Sequence, residues 1–327
     1  MFPEFYAPEQ VSRVYVERAG EVMAAGEAWA KAHGLAPAAA DTERIAAFGI
    51  DVQVAFCTPG ASLFVPGAVE DTTRAIEWLY RNVGQVTELI FSLDTHQAFQ
   101  IFHPAWWVDA EGRHPAPLTP VSAEDVRTGR WRAPRAPEAS LDYVQKLEAA
   151  GKYVLTVWPY HALLGGLSQA LVPAMMEAAL FHAAARGQPT HFELKGLAPL
   201  TENYSVLSPE VTQVEGREVG AFNEALFSRL MSFDRVYVFG QAKSHCVLST
   251  MEDLLRRIDA SDPALAGKLY VLEDAMSPVP APPLTPLPAS LDFPKLAEAA
   301  VERWRAAGVH IVRTTGALER LPSPRRR

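Results

Sequence analysis

Short apolar or β-branched runs alternate with helix-period segments along most of this chain, and that rhythm admits very few architectures. Strand candidates fall at 46–54 (AAFGIDVQV), 86–93 (VTELIFSL), 153–158 (YVLTVW), 191–195 (HFELK), 235–240 (RVYVFG), 268–274 (KLYVLED) and 309–314 (VHIVRT). Helical patterns lie between or after them at 69–83, 167–187, 217–233, 247–258 and 293–308. Strand, helix and strand in succession pair in parallel through right-handed crossovers, because each helix buries its apolar stripe on the sheet. The expectation is a three-layer α/β sandwich, with ligands bound beyond the carboxyl ends of the strands.

Three stretches break the rhythm. Residues 11–40 read as one or two Ala-rich helices within an N-terminal helical extension, 1–45. Residues 104–140 are rich in proline with little periodicity, which marks a long insertion serving as a lid or an oligomer contact, so a homo-oligomer stays open. Residues 276–290 form a Pro-rich connector. The charge of −8, from 38 acidic and 30 basic residues, argues against a nucleic-acid partner, and the terminal RRR (325–327) reads as a solvated tail. No apolar segment approaches the ~20 residues of a membrane span, and the first residues lack a signal-peptide pattern, so no membrane partner and a cytoplasmic location are expected. The two cysteines, Cys57 and Cys246, make no disulfide framework and suit a reducing compartment.

The chemistry gathers at strand ends. RVYVF leads into GQAKSHCV and then directly into a helix, which places Cys246 at a helix N-terminus where free N–H groups and the helix dipole favour a thiolate. Cys57 reads as packing. Asp51 interrupts the apolar run FGIDVQVAF; it is either a buried acid able to take a thiol proton or the cap of a turn. Lys195 closes HFELK, where an ammonium either supports a carboxylate and a thiolate or is simply solvated. Asp94 and His96 in SLDTH share a face, and His161 follows another apolar run. One carboxylate and two imidazoles suit a divalent metal, Zn²⁺ first, with Fe²⁺ or Mn²⁺ open. The other histidines receive no metal role.

Taken together, these segments resemble the nicotinamidases of the isochorismatase-like cysteine hydrolases. IDVQVAFCTPGASLFVPGA (50–68) is similar to their opening motif, SLDTH to their Asp-x-His, VWPYH to their Trp-Pro-x-His, and ELKG…ENYS to their Lys-Gly…Tyr-Ser segment. GQAKSHCV is similar to their nucleophile loop and LEDA (272–275) to a short acidic motif downstream. The resemblance spans about 46–280 and implies a six-stranded, mostly parallel sheet in a hydrolase domain over 46–327. It implies an Asp51–Lys195–Cys246 triad, a metal on Asp94, His96 and His161, and a cis peptide at Gln241–Ala242. The N–H groups of Ala242 and Cys246 would then face the substrate carbonyl, and Phe56 would wall the substrate ring.

The sequence departs from that family at Gln100 and Phe102 after the metal motif, and at Lys243, Ser244 and His245 in the nucleophile loop. The implied activity is hydrolysis of a small amide, nicotinamide to nicotinate and ammonia, through a thioester. The alternatives are another amide, ureido or carbamoyl substrate on the same fold, or a catalytically idle scaffold that binds a protein.

Overall fold

Six strands form one sheet in the computed structural model, which describes residues 1–316 and 318 except Lys152, Pro283 and Leu284; the terminal RRR lies outside the described residues. They are β1 (Ile45–Ile50), β2 (Glu88–Asp94), β3 (His191–Lys195), β4 (Arg235–Gly240), β5 (Leu269–Leu272) and β6 (His310–Val312). Every pairing is parallel, and the order across the sheet is β6-β5-β4-β1-β2-β3. The chain therefore starts in the middle, builds one half, returns beside β1 and builds the other. Such an order leaves a crevice at the carboxyl ends where the winding reverses, here between β1 and β4.

Alternation along β1 explains the layers. Ala47 faces one core with Leu89, Phe91 and Phe239, while Ala46, Phe48 and Ile50 face a second core with Ile90, Val236 and Val238. The first is covered by helices α1 (Ala19–His33), α2 (Ala68–Arg81) and, past a further helix α3 (Pro137–Ala149), α4 (Pro173–Arg186). The second is covered by α5 (Glu224–Met231), α6 (Cys246–Asp259) and α7 (Phe293–Ala306). No helix among the described residues is long and apolar enough to cross a membrane.

Four segments differ from the sequence expectation. The 153–158 run contributes only Leu155–Thr156, paired antiparallel with Pro120–Val121 outside the main sheet. Its apolar side chains serve a third core, built by Trp106, Trp107, Val121, Tyr143, Leu147, Leu155 and Val157, so the 104–140 stretch, aperiodic as it is, is folded around tryptophans. The 167–187 helix begins at Pro173, since proline is favoured in the first turn and disfavoured deeper. The 217–233 helix shrinks to Glu224–Met231, because Arg217–Glu218 pairs with Gln213–Val214 in a hairpin and Asn223 caps the helix through the Leu226 N–H.

Candidate active site

Beyond the ends of β1 to β4 the chain buries six ionisable side chains together: Asp51, Asp94, His96, His161, Lys195 and Cys246. β1 stops at Ile50, and Asp51 turns off the strand with φ +48°, a left-handed backbone that aspartate tolerates better than most residues. Ser92 on β2 fixes it, its hydroxyl donating to Asp51 Oδ1 at 2.6 Å. Lys195, at the end of β3, sends its ammonium inward, where Nζ lies 3.0 Å from Asp51 Oδ2 and 2.8 Å from Asp94 Oδ1. The same nitrogen donates to the Asn203 carbonyl at 2.8 Å and lies 3.7 Å from Cys246 Sγ. One cation thus touches both carboxylates and the sulfur.

Electrostatics follow from burial. Asp51 is wholly buried, and the loss of water pushes its carboxyl above the usual range even against the pull of Lys195. Burial also raises the Cys246 thiol well above its ordinary value; Lys195 opposes this, while Asp51 and Asp94 add to it. Burial thus outweighs the helix start and the lysine, and the affinity of the thiol for its proton is raised rather than lowered. Burial works against the Lys195 charge, yet Asp51 and Asp94 hold it firmly protonated. Asp94 likewise suffers burial, but His96 and Lys195 beside it keep it well below the carboxylate range. Cys57 is buried and pushed up to about 12 by loss of water, as an inert packing thiol should be.

Asp94, His96 and His161 are all buried, with one ligand atom from each lying within 4.8 Å of the others. His96 Nε2 is 2.7 Å and His161 Nε2 3.4 Å from Asp94 Oδ2. Their other ring nitrogens meet carbonyls, Gly196 O at 3.1 Å and Pro159 O at 2.8 Å. A carbonyl only accepts, so Nδ1 carries the proton on each ring and two Nε2 lone pairs converge on a carboxylate. That is a donor set for a divalent cation, with the tautomers fixed from outside. The segment carrying His161 is pinned to β2's extension by His96 N–H to Ala162 O and Leu164 N–H to His96 O, both 2.9 Å.

Phe56 stands on the one-turn helix Val54–Cys57, edge-on to His161 with ring centres 5.7 Å apart. The peptide Gln241–Ala242 is cis. In that loop the Gln241 and Lys243 amides donate to Ile50 O and Ser277 O, while the His245 and Val247 amides donate to Ala242 O. All nine residues singled out from the sequence therefore stand at one end of the sheet.

Three residues that brace the site were given no role in that reading, Gln53, Ser92 and Asp71, and His103, given no metal role, lies close by. Gln53 clamps the end of β2, accepting from Asp94 N–H and donating to Asp94 O, both 2.8 Å; its signal was an amide inside an apolar run. Ser92 carried none beyond being polar in a buried strand. Asp71 accepts from Gln241 Nε2 at 2.9 Å and Arg74 at 2.6 Å, so α2 holds the loop that precedes Cys246, and its signal was an acid on the buried stripe of a helix. His103 is buried with Nε2 unpartnered among the described residues, its ring 5.8 Å from those of His96 and His161. Gln100, at a departure from the family pattern, spends its amide on Gly196 O and Ala198 O and so braces the carbonyl that His96 uses.

No family model matches the sequence, and no curated protein matches it. Solved structures do. The nicotinamidase/pyrazinamidase of Acinetobacter baumanii superposes with a TM-score of 0.52 at 19% identity, over 84% of this chain and 98% of its own. Yeast nicotinamidase Pnc1p gives 0.50 at 18% identity, over 82% and 99%, and 0.51 at 18% when bound to the inhibitor nicotinaldehyde. At this identity the shared feature is the fold alone, one this chain has in common with those nicotinamidases.

Proposed function

We propose that this chain is an isochorismatase-like cysteine amidohydrolase of nicotinamidase type, converting nicotinamide to nicotinate and ammonia. The observation that carries the reading is the Lys195 ammonium, bridging Asp51 and Asp94 within 3.0 Å and lying 3.7 Å from Cys246 Sγ. A buried carboxylate whose affinity for protons is raised can take one from a thiol that burial has kept neutral, and the pair moves together when substrate arrives. The thiolate adds to the amide carbonyl, and the oxyanion is received by the N–H groups of Ala242 and Cys246. Asp51 returns its proton to the leaving nitrogen, ammonia departs, and water then cleaves the thioester with Asp51 again as base.

Asp94, His96 and His161 would hold a divalent metal, Zn²⁺ first among Fe²⁺ and Mn²⁺, supplying a Lewis acid for a ring nitrogen or water. Phe56 would flank the ring. The reading places the protein in the cytoplasm, with residues 1–45 an extension to the hydrolase domain.

The test is ammonia release from nicotinamide, pyrazinamide and ureidoacrylate, and pyruvate release from isochorismate, by wild type and Cys246→Ala. Nicotinamide turnover lost in Cys246→Ala, with the fold intact by circular dichroism, is expected. Turnover of the ureido compound alone would shift the substrate and leave the chemistry, whereas activity surviving in Cys246→Ala refutes the nucleophile.

A further inference from the structure

The main sheet ends in β6 on one side and β3 on the other, and among the described residues no strand pairs with the outer side of either. Soluble proteins usually blunt such an edge with a proline, a bulge, an outward lysine or a very short strand. β6 follows that rule: it has three residues, and Arg313, its side chain 65% exposed, comes directly after it. β3 does not. It has five residues in unbroken register with β2, and its one lysine, Lys195, points into the site. Phe192 and Leu194 on it are 38% and 48% exposed. Phe192 stacks on Phe91 with ring centres 6.1 Å apart, so these two side chains prolong the core that α4 helps to cover out to the rim of the sheet.

Backbone parity says what the edge can receive. Lys195 O accepts from Thr95 N–H at 2.9 Å, so Lys195 turns its peptide groups towards β2, and Glu193 and His191 do the same. Phe192 and Leu194 therefore turn theirs outwards. Two copies of β3 laid antiparallel about a twofold axis through Phe192 would meet as a hydrogen-bonded pair. Phe192 N–H of each copy donates to Phe192 O of the other, and Leu194 meets Thr190 in the same way on both sides.

Charge selects that axis. It sets His191 of each copy opposite Glu193 of the other, whereas an axis through Glu193 would oppose two carboxylates. An axis through Leu194 would need the carbonyl of Gly196, which His96 and Gln100 already occupy. His191 and Glu193 lie 3.1 Å apart within one strand, with side chains 29% and 25% exposed, so across the Phe192 axis imidazole and carboxylate alternate. We propose that β3 is a homodimer interface, at which two six-stranded sheets join edge to edge into one of twelve.

Sedimentation velocity of the whole protein between about 1 and about 100 μM should show reversible dimerisation. Phe192→Lys sets two ammonium groups opposite each other on the axis and should raise the dissociation constant by about tenfold or more. Cross-linking reads the register. His191→Cys and Glu193→Cys proteins, mixed in equal amounts and oxidised with diamide, should form a covalent dimer, because directly opposed residues of a non-hydrogen-bonded pair lie within disulfide reach. Neither variant alone should do so, nor the wild type, whose Cys57 and Cys246 are buried. A wild type that stays monomeric at the highest concentration, a mixture that does not cross-link, or an unchanged dissociation constant in Phe192→Lys overturns the interface. Cross-linking of Glu193→Cys alone overturns the register. The mixture leaves Phe192 intact, so it decides even where Phe192→Lys unfolds. Neither measurement involves turnover, so the dimer and the amidase reading fail independently.

Discussion

On the proposed reading Asp51, Lys195 and Cys246 form one proton-transfer unit, and their geometry makes the consequences of single substitutions unequal. Asp51→Asn removes the carboxylate that hydrogen-bonds with the thiol and should abolish nearly all turnover. Lys195→Met strips the shared counter-charge from two buried carboxylates, each of which then favours its proton. It should lose a large share of turnover and lower the rate of Cys246 alkylation. The double variant should be scarcely worse than Asp51→Asn, because groups acting as a unit are strongly non-additive; additive losses in kcat/KM would contradict the unit. Lys195 also couples this unit, through Asp94, to the proposed metal ligands His96 and His161. We expect about one divalent metal per chain by elemental analysis, lost in His96→Ala, with KM raised more than thiol alkylation is slowed. A wild-type site that stays empty on reconstitution in an active enzyme would contradict that assignment.

Elements, rather than single residues, set how much of this was legible. Strands β1, β2 and β4 were readable because a strand buried on both faces is a largely continuous apolar run, and an ionisable residue closing or following it stands out, as Asp51, Asp94 and Cys246 do; β3 is an edge strand with Phe192 and Leu194 exposed, and there it was the lysine closing the short run, Lys195, that stood out. The 153–158 run was misassigned to the sheet because an apolar run serving a satellite core has the same composition as a sheet strand. Helix–helix contacts left no such mark. Gly26 in α1 is an example: a Cβ there would stand 2.6 Å from Phe181 O and 2.8 Å from Ala184 Cβ on α4. Helix propensity alone favours Gly26→Ala by about 1 kcal/mol. The clash with a backbone carbonyl has no flexible end to give way and should outweigh it, at about 1–3 kcal/mol. Gly26→Ala should therefore lower the thermal midpoint; a rise would mean that α1 does not sit this closely on α4.

At the scale of the whole molecule, what composition leaves hidden is which titrating groups the folded state keeps dry. Nine histidines look alike in the sequence. His182 on α4 is 3% exposed, its Nε2 shares a 2.9 Å hydrogen bond with Val86 O, and its Nδ1 has no partner among the described residues. A second proton would sit on that unpartnered nitrogen beside Arg186, so burial first, and Arg186 with it, depress the imidazole from 6.5 to about 4. The folded value lies below the unfolded one, so the unfolded chain takes the proton first as pH falls. The contribution is present above pH 6.5 and is lost progressively down to about pH 4, amounting at most to about 3 kcal/mol for this group. His182→Gln keeps a donor for Val86 O and cannot titrate. Unfolding free energies measured by denaturant between pH 8 and pH 4 should fall in the wild type relative to the variant as pH drops through 6, by up to about 3 kcal/mol, whatever offset the substitution introduces at pH 8. Acid titration of the shared carboxylates and of the metal group is common to both proteins and cancels in the difference. Curves that stay parallel would show that His182 is hydrated in solution and that the α4–β2 contact is looser than its buried ring indicates.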